Sequence, residues 1–142
     1  MPCLKPEVHK NRFAKVYLIG AEAYHKAGDN AKAAELINVV RARAAFQKTN
    51  TSAQNAEAAS ALVITASDVS VDFILDERSR ELFGEWQRWH DLVRTKSLVR
   101  RVKAWNPEAA PYIQGFHMLR PIPQSQIDRV TDRPKFTENP GY

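Results

Sequence analysis

The sequence predicts an all-α chain, and three observations carry that prediction. Apolar residues recur at steps of three and four over residues 11–28, again from Ala33 to Val40, and again from Val71 to Trp105. Stop and cap signals, Gly28-Asp29-Asn30 and Asn106-Pro107, fall between or after these runs. Beyond Met118 the chain is dense in proline, which removes backbone donors, fixes φ and forces an extended, turning path.

In the first run Phe13, Val16, Tyr17, Gly20, Ala21 and Tyr24 form the expected buried stripe, and Gly28 ends the helix. Asp29 or Asn30 caps the next helix, whose stripe is Ala33, Leu36, Ile37 and Val40. So short a connection makes the two helices antiparallel neighbours, and Gly20, Ala21 and Ala33 let them approach closely. This spacing is similar to one tetratricopeptide-type helix pair, although a solenoid needs at least three repeats to stand alone.

Residues 46–67, rich in Ala, Ser, Thr and Asn, read as a long loop, with a short helix just after Asn55 left open. Asp68 is the expected cap of a long helix carrying Val71, Ile74, Leu75, Leu82, Trp86, Trp89 and Val93. Arg78 fills a gap in that stripe, so a charge faces the core there. The pattern continues or restarts through Leu98, Val99, Val102 and Trp105. Residues 112–142 form the extended tail, with one short helix expected at Gln124 to Arg129. The expected architecture is one domain: a helix pair packed on a long helix, with the tail wrapped across them.

Composition bounds function. The chain has 142 residues, 44% hydrophobic and 26% charged, which is globular composition for one core. The net charge of +5 is spread among interleaved acids, so a mixed-sign solvated surface is preferred to nucleic-acid binding. The single cysteine, Cys3, excludes an internal disulfide. The opening Met1-Pro2-Cys3-Leu4-Lys5-Pro6 contains no apolar run, so neither a secretory leader nor a lipoprotein cysteine is expected there.

Three blocks carry a resemblance. Ile74-Leu75-Asp76-Glu77-Arg78, Glu81-Leu82 and Gln87-Arg88-Trp89-His90-Asp91-Leu92-Val93-Arg94 resemble the signature helix of the SusD/RagB family. Leu119-Arg120-Pro121-Ile122-Pro123, Gln126-Ile127 and the closing Asn139-Pro140-Gly141-Tyr142 are similar to that family's C-terminus. Arg12 to Leu18, Ala21-Glu22-Ala23 and Val40 to Ala44 are similar to its helical hairpin. One departure is Trp86, where the family usually has glycine after the residue matching Glu85, so local packing is expected to differ.

The resemblance implies a surface lipoprotein of the Gram-negative outer membrane, beside a SusC-like TonB-dependent transporter, binding glycans or peptides without catalysis or an essential cofactor. Family members are several hundred residues long, so the chain is expected to be a C-terminal portion. Membrane association would then come only from a lipid anchor absent from this chain. As a fragment it should expose an apolar face where preceding helices dock.

The chemistry is weighed against packing. Glu77, Glu81 and Glu85 lie four residues apart, with Arg78, Arg80 and Arg88 beside them. Paired carboxylates suit glycoside hydrolysis, but three beside three guanidinium groups are more simply an ion-pair network. The expected structural cluster is Glu77, Arg78, Glu81, Arg88 and Asp91, tying the Pro121 to Pro123 segment to the helix. On that reading Arg78→Met leaves the fold intact with a tail more open to proteolysis. Trp86 and Trp89 continue the apolar stripe and are assigned to the core; Trp105 and Tyr112 flank an irregular segment and are the ligand-stacking candidates. The histidines His9, His25, His90 and His117 show no metal spacing, and two groups such as Glu22 and His25 do not make a site.

The leading reading is therefore nutrient binding. The alternative is a tetratricopeptide-like protein-interaction module; a glycoside-acting enzyme built on the glutamate row is remote. The kinship is expected to require a seated proline-rich terminus and a helix unbroken past Glu81.

Overall fold

Residues 12–131, 134 and 137–142 are described in the computed structural model, and every regular element among them is helical. The order is α1 (Phe13–Lys26), α2 (Asn30–Ala45), α3 (Ser52–Ala61), a 3₁₀ turn (Ala66–Asp68), α4 (Val71–Glu81), α5 (Arg88–Arg94), α6 (Leu98–Trp105), a second 3₁₀ turn (Gly115–Met118) and α7 (Gln124–Asp128). The expectations for Cys3 and His9 lie outside the described residues. By its internal contacts the chain divides into two compact units, Met1–Arg88 and Trp89–Tyr142.

In the first unit α1 and α2 form the predicted hairpin. Gly28 takes φ 87 and the Asp29 amide donates to the Tyr24 carbonyl, which closes α1. Asp29 then caps α2 by accepting from the Lys32 amide at 2.9 Å. The close approach is also present, since a β-carbon added at Gly20 would stand 3.0 Å from Leu36 Cδ1. Leu18, Ala21, Ala33, Ala34, Ile37, Val40, Ile64, Val69 and Ile74 form the buried core, with Ala14, Tyr17, Leu36 and Phe73 packed against it.

The buried face of α1 is turned in part from the expected stripe. Ala21 is buried and Tyr17 packs on the core as expected, but Phe13, Val16 and Tyr24 are exposed and Leu18, outside the stripe, is buried. Both faces of α1 are apolar, so periodicity admitted either one.

The 46–67 stretch contains more order than the expected loop. A capping box at Thr51 and Gln54 starts α3 at Ser52, ahead of the site left open after Asn55. The chain then returns along α2 because Asn38 reads both backbone groups of Ile64 at 2.9 Å, and Arg41 Nε donates to the Leu62 carbonyl at 2.6 Å. This polar clamp seats Ile64 in the core. Ser70, rather than Asp68, caps α4 by accepting from the Phe73 amide at 3.1 Å. Asp68 instead accepts from Thr65 and closes the 3₁₀ turn.

The expected long helix is broken. Helix α4 ends at Glu81, Gly84 follows at φ 80 and Trp86 at φ 58, and α5 starts at Arg88. Trp86 is 88% exposed, so its assignment to the core is corrected. A left-handed residue interrupts the periodicity, so the stripe cannot continue in register through it. The same φ explains why glycine suits this position in the family pattern.

In the second unit α5 closes with Lys96 at φ 55 and the Ser97 amide donating to the Leu92 carbonyl. Helix α6 matches the predicted restart and stop, and α7 the short helix expected in the tail. Trp89 is half-buried, with the Arg120 guanidinium 5.5 Å from its ring centroid.

The last residues fold back on the segment that opens the tail. Tyr142 donates its hydroxyl to the Leu119 carbonyl at 2.8 Å, and Asn139 Nδ2 donates to the Arg120 carbonyl at 2.7 Å. Glu138 Oε1 accepts from the Ile122 amide at 2.8 Å and from the Asn139 amide at 2.7 Å. Tyr142 also meets Phe116 edge-on, with ring centroids 5.1 Å apart.

Candidate functional site

Helix α4 turns two adjacent groups inward, since Glu77 and Arg78 are both buried. A buried carboxylate needs compensation, and the partners come from α2 as well as from α4. Arg41 pairs with Glu77 Oε1, which also accepts from Arg80 at 2.7 Å. Arg43 reaches Glu81 Oε2 at 2.5 Å, and Arg12, just before α1, reaches Glu81 Oε1 at 2.8 Å. The same Arg12 bonds Glu85 at 2.5 Å, joining the end of α4 to the turn beyond it. Three glutamates are thus held by four arginines from three parts of the first unit.

Each member of the expected cluster has a partner. Glu77 and Glu81 share the α2–α4 network, and Arg88 donates to the Leu75 carbonyl at 2.7 Å. Asp91, buried in the second unit, pairs with Arg94 at 3.2 Å. Arg12, Arg41 and Arg43 were read only as parts of the hairpin resemblance. Sequence spacing reports pairs within one helix and is silent on pairs between helices. The pairing of Glu22 with Lys26 at 2.7 Å, four residues apart, is the kind that spacing does report.

Against this network lies a cavity of about 470 Å³. Val40, Arg41, Ala44, Leu62 and Phe73 line it, and Glu77, Arg80 and Glu81 supply its acidic and basic edge. The Arg41 guanidinium stands 5.8 Å from the Phe73 ring centroid, so the arginine is oriented by a ring and a carboxylate together. Each of the three carboxylates is already engaged by at least one guanidinium group. The cavity thus sets hydrogen-bonding groups beside an apolar wall.

Trp105 and Tyr112, the stacking candidates, are 79% and 76% exposed in the second unit. Two more aromatics are exposed in the first unit: Phe83 at 90%, which the sequence did not single out, and Trp86 at 88%, which its apolar spacing had assigned to the core. Gly84 between them was the signal that a turn, and so an exposed pair, was present.

A strand-free helical hairpin whose arginines hold the acids of a third helix, with a proline-rich end clasped on itself, defines an all-helical scaffold. The chain belongs to the SusD family, whose pattern matches residues 7–142. It is also 32% identical over 131 residues to SusD-like protein P38 of Formosa agariphila. That alignment takes in 92% of this chain and 24% of the relative, so the chain spans about a quarter of the length of the curated relative it matches. No solved structure matches the chain. The match runs through the break after Glu81, so helix continuity was the wrong criterion for the kinship.

Proposed function

We propose that this chain is the C-terminal part of a surface nutrient-binding lipoprotein that holds a glycan, or a peptide, without catalysis and delivers it to a SusC-like TonB-dependent transporter in the outer membrane. The observation that carries this reading is the family match over residues 7–142. Two features are consistent with it. The glutamates that could have served acid–base chemistry are engaged by Arg12, Arg41, Arg43 and Arg80, and large aromatic faces at Trp105 and Tyr112 are open to a sugar ring. The exposed apolar residues Phe13, Val16, Ile19 and Tyr24 on α1 support the reading as part of a longer protein, as does the length of the relative.

The test is affinity electrophoresis of this chain and of its longer parent through gels containing a panel of polysaccharides, with calorimetry against a peptide mixture in parallel. Retardation by at least one polysaccharide, unchanged after Glu81→Gln and without release of reducing ends, is the expected result. Hydrolysis abolished by Glu81→Gln would replace the reading with an enzyme. Parent and chain both failing to engage any glycan or peptide would end it.

A further inference from the structure

Trp86 combines two features that oppose each other. Its φ of 58 lies in the left-handed region, which glycine tolerates and a bulky side chain resists. Its ring is 88% exposed, so burial returns almost nothing for that strain. Elsewhere in the chain a comparable conformation has a structural cause: Lys96, at φ 55, closes α5 with the Ser97 amide bonded back to Leu92. After α4 the reversal is already made by Gly84 at φ 80. Strain kept without a packing return points to what the side chain does in solvent.

The turn that carries Trp86 is anchored on both sides. Arg12 bridges Glu81 and Glu85 immediately before it, and Arg88 binds the Leu75 carbonyl immediately after it. The ring is therefore presented from a held backbone, which lowers the ordering cost of binding. Phe83, 90% exposed, comes from the same turn. Around these two aromatics the polar neighbours in sequence are Glu81, Glu85, Gln87 and Arg88, a largely charged setting. Such a rim suits a ligand with one apolar face and many hydroxyls better than an apolar protein surface.

We infer that Trp86, assisted by Phe83, is a saccharide-stacking site in which the indole packs on the C–H face of a pyranose ring. This deepens the glycan-binding reading and rests on it. The decisive variant is Trp86→Gly, because glycine relieves the strain and removes the ring at once. The experiment is affinity electrophoresis and calorimetry on the full chain and its longer parent, using the polysaccharide that retards the parent most.

The expected result is affinity weakened about tenfold in Trp86→Gly, with a melting temperature equal to or above the parent's. Trp86→Phe should recover most of the affinity and Phe83→Ala lose part of it. Unchanged affinity in Trp86→Gly overturns this site and leaves the glycan-binding reading standing. A fall in melting temperature along with affinity makes Trp86 a packing residue and overturns it as well. A change in oligomeric state without loss of polysaccharide affinity assigns the ring to a protein contact instead. A parent retarded by no polysaccharide removes both readings.

Discussion

The hairpin core of the first unit and the clasp at the end of the second hold their chains by different means. Between α1, α2 and α4 the chain buries aliphatic side chains completely, with Leu18 and Ile37 at 0% exposure, then ties the rim with arginine–glutamate pairs. At the clasp, short segments about twenty residues apart are joined by side chains bonded to main-chain groups, two of them carbonyls, and by edge-on contacts of the Tyr142 ring with Phe116 and His117. Burial is non-directional and scales with area, so the core tolerates rearrangement of its rim. Hydrogen bonds to fixed main-chain atoms are directional, so the clasp depends on a few residues being the right ones. Proline makes this workable, because Pro121 and Pro123 restrict φ in the clasped strand and reduce the freedom lost on closure.

The largest expected effect falls in the core. Ile37→Ala should destabilise the first unit by about 3–4 kcal/mol through lost burial and a residual cavity, measured by urea unfolding. The clasp amides should keep their exchange protection; if Ile122 exchange accelerates equally, the two regions are one cooperative unit and the contrast fails. Next is Glu77→Ala, which leaves Arg41 without its buried carboxylate and should cost about 3 kcal/mol, with the loss reduced by a compensating Arg41→Met. Additive costs in that pair would show that the network contributes little beyond its members.

A smaller effect is expected at the clasp. Glu138→Ala should cost about 1–2 kcal/mol locally, raise Ile122 amide exchange and speed proteolysis of the tail, while leaving the main unfolding midpoint of the first unit in place. The smallest concerns Asp68, fully exposed, whose carboxyl is held below its ordinary 3.8 first by the Thr65 amide and then by the Thr65 hydroxyl. A lowered native pKa gives stability that is present above the ordinary value and lost as pH falls through the lowered one. Asp68→Asn should therefore differ slightly from the parent at neutral pH and merge with it in acid; a difference that grows in acid would reverse the assignment.

Much of the first unit was legible in the sequence. Gly28 and Asp29 marked the hairpin turn, and the stripe Ala33, Ile37 and Val40 is the buried face of α2. Arg78 was placed toward the interior from its gap in the stripe, and it is buried. What failed did so where two local rules competed. Helix α1 is apolar around much of its circumference, so periodicity alone could not choose its inner face. The run from Val71 to Val93 keeps helical apolar spacing apart from the gap at Arg78, and Gly84 was too weak a signal against it. The Ala-rich stretch after Phe46 hid a helix because its capping box, Thr51 and Gln54, lies among residues that also favour loops.

By itself the sequence determined the helical class, the hairpin, the stop at Asn106 and the family, because these follow from periodicity, caps and ordered motifs along one chain. Only the tertiary structure decided which arginines meet Glu77 and Glu81, that the helix ends before Trp86, and that Tyr142 returns to Leu119. Those outcomes depend on distances between residues far apart in the chain, and local spacing carries no information about them.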